Sequence, residues 1–111
     1  MITQVRPSEF AGWLQAQPAP PLVLDVREPW EVNAASVRAD GFELVTIPMH
    51  LVPVRLAELP QDPPIAVLCH HGGRSMQVAA FLERQGYTGV ANIAGGIDAW
   101  SLQKDPAVPR Y

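Results

Sequence analysis

Five short hydrophobic runs alternate with amphipathic segments along the chain. The run IAVL at 65–68 follows two prolines and is continuous rather than alternating, which is typical of a strand buried on both faces. In segment 75–85 the apolar residues instead recur at helical spacing, and Gly86 ends the pattern. The same criteria predict strands at 2–5, 22–26, 42–47, 65–68 and 90–93, and helices at 8–17, 29–35, 52–59, 75–85 and 97–102.

Strands that alternate with helices predict an α/β fold with a mostly parallel five-stranded sheet and helices on both faces. The chain has 111 residues, and a chain of this size buries about 65% of its unfolded surface in one core. We expect one domain over residues 1–103 and a C-terminal tail over 104–111. Ligands of such sheets bind beyond the carboxyl ends of the strands, which is where Cys69, segment 25–28 and the turn at 95–96 fall.

A candidate nucleophile follows the run at 65–68 directly. Cys69 is the only cysteine, and a glycine-bearing loop separates it from the helix that Ser75 is expected to cap. Backbone N–H groups of such a loop and of a first helical turn point at one spot, which the helix dipole makes positive. A thiol there, beside a cation such as Arg74, ionises readily, so we expect a thiolate competent for acyl, phosphoryl or sulfur transfer. The expected anion-binding loop and cap are His70, His71, Gly72, Gly73, Arg74 and Ser75.

The two histidines after the cysteine do not predict a metal site. Adjacent side chains are expected to diverge, and no carboxylate or second thiol stands at ligand spacing. His70 and His71 are expected to line the loop, either as rim cations that attract an anionic donor when protonated or as solvent-exposed side chains. We expect no metal and no cofactor.

The loop sequence CHHGGR resembles the active-site loop of the rhodanese (sulfurtransferase) family. Further matches follow the family's order: LVLDVREPWE at 22–31, RSMQVAAFL at 74–82 and NIAGGIDAW at 92–100. The resemblance implies a rhodanese-like fold and a single-domain sulfurtransferase of the thiosulfate type. It also implies that Cys69 carries the transferred sulfur as a persulfide.

One segment departs from the family's pattern. Relatives have a stretch similar to Gly-His-Ile-x-Gly-Ala between the second and third strands, whereas this chain reads NAASVRADGFELVTIPM at 33–49. That stretch shapes one side of the active-site mouth in relatives. The departure therefore bears on the identity of the acceptor more than on the type of reaction.

Charged residues at the end of the second strand are expected to support the loop rather than to react. Asp25, Arg27 and Glu28 lie where strand-end charges pair with each other and brace a neighbouring loop. Arg74 has two alternatives: it points at a bound anion, or it pairs with Asp25 or Glu28 and holds the loop. The resemblance favours loop support.

Three functions fit these residues. The first is a sulfurtransferase that moves sulfane sulfur from thiosulfate or a related donor to a thiol or cyanide through a Cys69 persulfide. The second is a persulfide carrier or interaction module that a partner protein loads or unloads. The third is a phosphatase or arsenate reductase on the same fold. It is disfavoured because those phosphatases have five residues between cysteine and arginine, whereas four separate Cys69 from Arg74.

Composition and sequence limit the classes of partner that we expect this protein to bind. The net charge is −3 and Lys104 is the only lysine, so no basic patch favours nucleic acid. No apolar run approaches the roughly 20 residues of a membrane helix, and the start MITQVRPSEF lacks the features of a signal peptide. We expect a cytoplasmic protein without membrane partners. Its expected ligands are a small anionic sulfur donor and a thiol, cyanide or protein acceptor.

Overall fold

Five parallel strands form a single sheet in the computed structural model, which describes residues 2–111. The sheet order is β1-β5-β4-β2-β3, so β4 lies in the centre. The predicted α/β class and five-stranded sheet are confirmed. No helix within residues 2–111 is long and apolar enough to cross a membrane. The strands are β1 (Thr3–Val5), β2 (Leu22–Asp25), β3 (Glu43–Thr46), β4 (Ile65–Leu68) and β5 (Val90–Ile93), and the helices are α1 (Phe10–Gln15), α2 (Pro29–Ala34), α3 (Gly73–Arg84) and α4 (Gly96–Gln103).

Alternate residues of the central strand enter two separate cores, which explains its continuous apolar sequence. Ile65 and Val67 pack on one face with buried residues of α3, and Cys69 belongs to the same cluster. Ala66 and Leu68 pack on the other face with residues of α1 and α4. The side chain of Cys69 therefore lies on the side of the sheet that α3 covers.

The parallel register brings the carboxyl ends of three strands together. Asp25, the last residue of β2, pairs with Leu68, the last residue of β4, and Val67 pairs with Asn92 of β5. Segment 25–28, Cys69 and the turn before α4 consequently meet at one edge of the sheet, as the sequence predicts.

The helix predicted at 52–59 is wrong. This segment contains turns, with short 3₁₀ helices at Met49–Leu51 and Leu56–Glu58. Starting a helix is costly in so short a segment, and Pro60 prevents its extension. Val52 and Leu59 are nevertheless buried against the face that α3 covers.

Residues 104–111 pack along α4 and reach the carboxyl edge of the sheet. Val108 is buried, and the Ser101 hydroxyl donates a hydrogen bond to its carbonyl oxygen at 2.6 Å. Arg110 Nε lies 2.9 Å from Oδ1 of Asp98 in α4. The segment ends with Tyr111 beside Arg27 and His70.

Candidate active site

Cys69 lies at the bottom of the loop with its sulfur surrounded by hydrogen-bonding groups. The residue is 1% exposed. The backbone N–H of Gly72 donates to Sγ at 3.0 Å, and the thiol donates to Ser75 Oγ at 3.2 Å. Both groups lie where they can stabilise negative charge on the sulfur.

The loop turns into α3 through a glycine rather than through the predicted serine cap. Gly72 is the N-cap and has φ of +106°, a left-handed conformation that favours glycine. A Cβ at this position would also lie 3.1 Å from the backbone nitrogen of Gly95. The prediction that Ser75 caps the helix is wrong, because α3 begins at Gly73 and the Ser75 side chain is turned into the core.

A chain of polar side chains runs from the buried sulfur through Ser75 and Asn92 to the exposed Gln4 of β1. The Ser75 hydroxyl lies within hydrogen-bond reach of Asn92 Oδ1 and of the Gly72 carbonyl, and Asn92 Nδ2 donates to Gln4 Oε1 at 2.9 Å. A hydroxyl has one proton, so Ser75 either donates to Asn92 or turns that proton to an ionised Cys69. Sequence reasoning missed Asn92, although a polar residue inside the apolar strand β5 was a usable signal.

The first turn of α4 holds the backbone at the start of the loop. The N–H groups of Ile97 and Asp98 donate to the carbonyl oxygens of Cys69 and His70 at 2.9 and 3.1 Å. Gly96 has φ of +61°, and a Cβ there would collide with these two carbonyl groups. The backbone conformation at Cys69 thus depends on the close approach of Gly96 to the carbonyl groups of Cys69 and His70.

Arg74 forms a bidentate ion pair with Glu31 of α2. Nη1 and Nη2 lie 2.6 and 2.8 Å from the two carboxylate oxygens. The Arg74 guanidinium lowers the pKa of Glu31 to about 2, and the pair raises the pKa of Arg74. The prediction that Arg74 pairs with Asp25 or Glu28 is wrong. Arg74 nevertheless connects the loop to α2 through Glu31. Glu31 was missed because its position in α2 gives no local sign of this contact.

Asp25 and Arg27 form a separate buried ion pair below the loop. Arg27 is fully buried, and its Nη2 lies 2.7 Å from Asp25 Oδ2. Its remaining donors reach the backbone carbonyls of Glu31 and Ala35 at 3.1 and 2.8 Å. Ala35 belongs to segment 33–49, which lacks the family's Gly-His-Ile stretch. Arg27 therefore holds this segment beside the active site through its hydrogen bond to the Ala35 carbonyl oxygen.

Glu28 is the N-cap residue of α2. Its N–H donates to Glu31 Oε1 at 3.1 Å, and its carboxylate lies 3.7 Å from His50 Nδ1. A depression of about 400 Å³ beside these residues is lined by Val26, Glu28, Met49, His50 and Arg74.

The expectation that the two histidine side chains diverge is wrong. The rings of His70 and His71 stack at 3.8 Å, and Asp98 brings a carboxylate near them, with ligand atoms of all three within 4.8 Å of one another. Arg110 already pairs with Asp98 and competes with any ion for this carboxylate. Burial lowers the pKa of His70, so this ring is neutral near pH 7, while His71 is exposed.

The Rhodanese-like domain family matches residues 7–103 of this chain, which therefore belongs to that family. A protein named "Sulfurtransferase" from Allochromatium vinosum is 41% identical over 87 residues, covering 78% of each chain. "Thiosulfate sulfurtransferase GlpE" from Pseudomonas syringae is 31% identical over 94 residues, covering 85% of this chain and 83% of its own. The crystal structure of a rhodanese-related protein from Thermoplasma volcanium has a TM-score of 0.79 and 27% identity, covering 98% of this chain and 99% of that one. The rhodanese-like fold predicted from the sequence is thus confirmed.

Proposed function

We propose that this protein is a sulfurtransferase in which Cys69 is the nucleophile. The thiolate attacks the outer sulfur of thiosulfate or a related donor; a sulfur–sulfur bond forms to Cys69, and the donor's own bond breaks to release sulfite with the electron pair. An acceptor thiolate or cyanide then attacks the terminal sulfur, and Cys69 leaves as a thiolate. Each half-reaction conserves charge and needs no external oxidant.

The observation that carries this proposal is the Gly72 N–H at 3.0 Å from the Cys69 sulfur, with the Ser75 hydroxyl at 3.2 Å. Donors at this range stabilise an anionic sulfur, both as the attacking thiolate and as the departing one. The names of the two relatives above support sulfur as the transferred atom. The name of the Pseudomonas syringae relative supports thiosulfate as the donor.

A persulfide carrier that exchanges sulfur with a partner protein is the second candidate. The charge of Arg74 is compensated by Glu31, so the loop's cation offers little long-range attraction to a small anion. This pairing favours delivery of sulfur by direct protein contact. Phosphatase chemistry is disfavoured by the same pair, because Arg74 is not free to bind a phosphoryl group, and by the four-residue loop.

Mass spectrometry of the intact protein after incubation with thiosulfate tests the proposal. We expect one added sulfur atom, its removal by cyanide with thiocyanate as the product, and no addition in Cys69→Ser. Cys69→Ser removes the thiol and keeps a similar volume, so it also serves as the control for sulfur bound elsewhere. Continued turnover in this variant contradicts the assignment of Cys69.

The alternative functions are distinguished by the substrates that the protein accepts. A carrier loads sulfur from a persulfidated protein and turns over free thiosulfate poorly. A phosphatase hydrolyses a generic aryl phosphate at a rate matching or exceeding its thiosulfate turnover, and that result would refute the sulfurtransferase proposal.

A further inference from the structure

We propose that Tyr111 is a positioning residue for the Cys69 loop. It contacts His70, which follows the nucleophile, and through Glu31 it holds Arg74, which ends the loop. This inference rests on the proposed function, in which the loop holds the reacting sulfur. Tyr111 lies 42 positions after Cys69 in the sequence and belongs to the segment expected to be a simple tail.

The hydroxyl of Tyr111 enters the ion-pair network under the loop. It donates to Glu31 Oε2 at 2.8 Å and accepts from Arg27 Nη1 at 3.1 Å. The same Glu31 oxygen accepts from Arg74 Nη2 at 2.8 Å. Burial raises the pKa of Tyr111, which keeps the hydroxyl protonated and able to donate. The Tyr111 hydroxyl therefore holds the Glu31 carboxylate in position, and this carboxylate in turn holds Arg74.

The ring of Tyr111 contacts the other end of the loop. It lies parallel to the His70 ring, with the centroids 3.9 Å apart and an interplanar angle of 9°. It also meets Trp30 edge-on, with the centroids 5.9 Å apart. Because His70 follows Cys69 directly, this stack restrains the backbone that carries the nucleophile.

Anchoring of the C-terminal segment does not by itself account for these contacts. The buried Val108, its hydrogen bond from Ser101 and the Arg110–Asp98 pair attach the segment before it reaches Tyr111. A substitution at Tyr111 thus leaves these attachments in place. Its effects then report on the loop more than on the tail.

The pKa of His70 reports on the contact between its ring and the ring of Tyr111. Its ring is faced by His71 from the loop, Tyr111 from the C-terminal segment, Asp98 from α4 and Glu31 from α2. Burial, the largest cause, lowers the pKa of His70. Removing the Tyr111 ring uncovers the imidazole, so the pKa of His70 should rise towards its ordinary value.

The test compares Tyr111→Phe, Tyr111→Leu and Tyr87→Phe in the full chain. Tyr87 is the other tyrosine, and its hydroxyl donates to the Leu59 carbonyl at 2.6 Å, so Tyr87→Phe is a control that removes the hydroxyl of a second hydrogen-bonded tyrosine. The measurements are kcat and KM for thiosulfate with cyanide as acceptor, the rate of Cys69 alkylation by iodoacetamide at fixed pH, and the NMR titration of His70.

Each variant has a distinct expected result. Tyr111→Phe keeps the stack and should lower kcat/KM by roughly three- to tenfold, the range for the net contribution of one hydrogen bond, without moving the His70 titration. Tyr111→Leu should lower kcat/KM further, change the alkylation rate and raise the His70 titration midpoint. Tyr87→Phe should lower stability without changing kcat/KM or alkylation.

Two results overturn the inference. The first is wild-type kcat/KM and alkylation in both Tyr111 variants. The second is a loss of activity that only follows the unfolded fraction measured by circular dichroism. If the wild-type protein takes no sulfur from thiosulfate, the proposed function fails instead. The alkylation rate and the His70 titration still decide the role of Tyr111.

Discussion

The guanidinium of Arg74 and the carboxylate of Glu31 meet across 43 positions of sequence, with both oxygens engaged at 2.6 and 2.8 Å. Glu31 is buried, whereas the Arg74 side chain is 35% exposed. The pair joins the first turn of α3 to α2, so the end of the loop cannot move without breaking two charge-assisted hydrogen bonds. The arginine next to the nucleophile is therefore a structural connection as well as a cation.

Glu31→Gln should destabilise the protein by about 1–3 kcal/mol at pH 7, because it leaves Arg74 without a compensating charge while preserving side-chain size. Urea unfolding followed by circular dichroism measures the change. Sulfur transfer should fall as well, since the loop loses its attachment.

The matched control is Glu58→Gln, which removes the carboxylate of the exposed Arg55–Glu58 pair, also bidentate at 2.8 Å. Pairs screened by solvent contribute little, so this variant should remain close to wild type in both stability and activity. Equal effects of the two substitutions would mean that burial of Glu31 has no special importance.

Stability should also fall in acid in a window that Glu31 defines. Its pKa is about 2 in the folded protein against an ordinary value of 4.5, so the unfolded chain binds more protons between these values. The contribution, on the order of 3 kcal/mol, is present above about pH 4.5 and is lost as the pH falls towards 2. Urea titrations from pH 6 to pH 2 should show a weaker pH dependence in Glu31→Gln, and an unchanged dependence would assign the acid sensitivity to other carboxylates.

Gly96→Ala should perturb the loop from outside it. The added Cβ would collide with the carbonyl groups of Cys69 and His70, and φ of +61° disfavours any residue with a side chain. We expect a loss of about 2 kcal/mol in stability and a large loss of sulfur transfer.

Gly12→Ala is the control for this substitution, because a Cβ at this position in α1 would meet no atom of residues 2–111 within 4 Å apart from its chain neighbours and its own helix backbone. Alanine is the better helix former, so Gly12→Ala should raise stability by about 0.5–1 kcal/mol and leave sulfur transfer unchanged. Wild-type transfer by Gly96→Ala would show that the loop tolerates displacement of the Cys69 carbonyl.

Inserting one glycine between Gly73 and Arg74 should separate the donors from the sulfur. The insertion lies after Gly72, so it displaces Ser75, whose hydroxyl lies 3.2 Å from Sγ, and Arg74, which holds the end of the loop through Glu31. Losing one well-placed donor typically costs about 3 kcal/mol of transition-state stabilisation, so kcat for sulfur transfer should fall by roughly a hundredfold. Steady-state cyanide assays measure it, and a similar insertion after Gln61, in a loop remote from Cys69, should leave kcat unchanged.

The sequence predicts those features that depend on local pattern and on strand order. The apolar run at 65–68 identified the central strand, and the position of Cys69 after it placed the candidate nucleophile at the carboxyl edge of the sheet. The predicted helix boundaries are less accurate where a side chain near the start of a helix takes part in the active site. Ser75 resembles a cap, but its hydroxyl is buried beside Cys69 and Asn92.

The polar partners of the site were not predictable from local pattern. Glu31, Asn92 and Tyr111 each contact the site across long stretches of chain, at separations of 43, 17 and 84 residues in their hydrogen bonds to Arg74, Ser75 and Arg27. A carboxylate in a helix or a tyrosine near the end of a chain has many solvent-exposed counterparts in any sequence. Only the assembled sheet edge distinguishes these residues from their exposed counterparts.

The burial of Cys69 also restricts which sulfur–sulfur bonds two copies of this protein can form. A disulfide requires the two Cα atoms to approach within about 4.4–6.8 Å. Two folded copies cannot reach that separation through a residue that is 1% exposed at the base of a loop. Since Cys69 is the only cysteine in the 111 residues, oxidation into covalent dimers requires local opening of the loop. The fold thereby disfavours a disulfide between two folded copies of this protein.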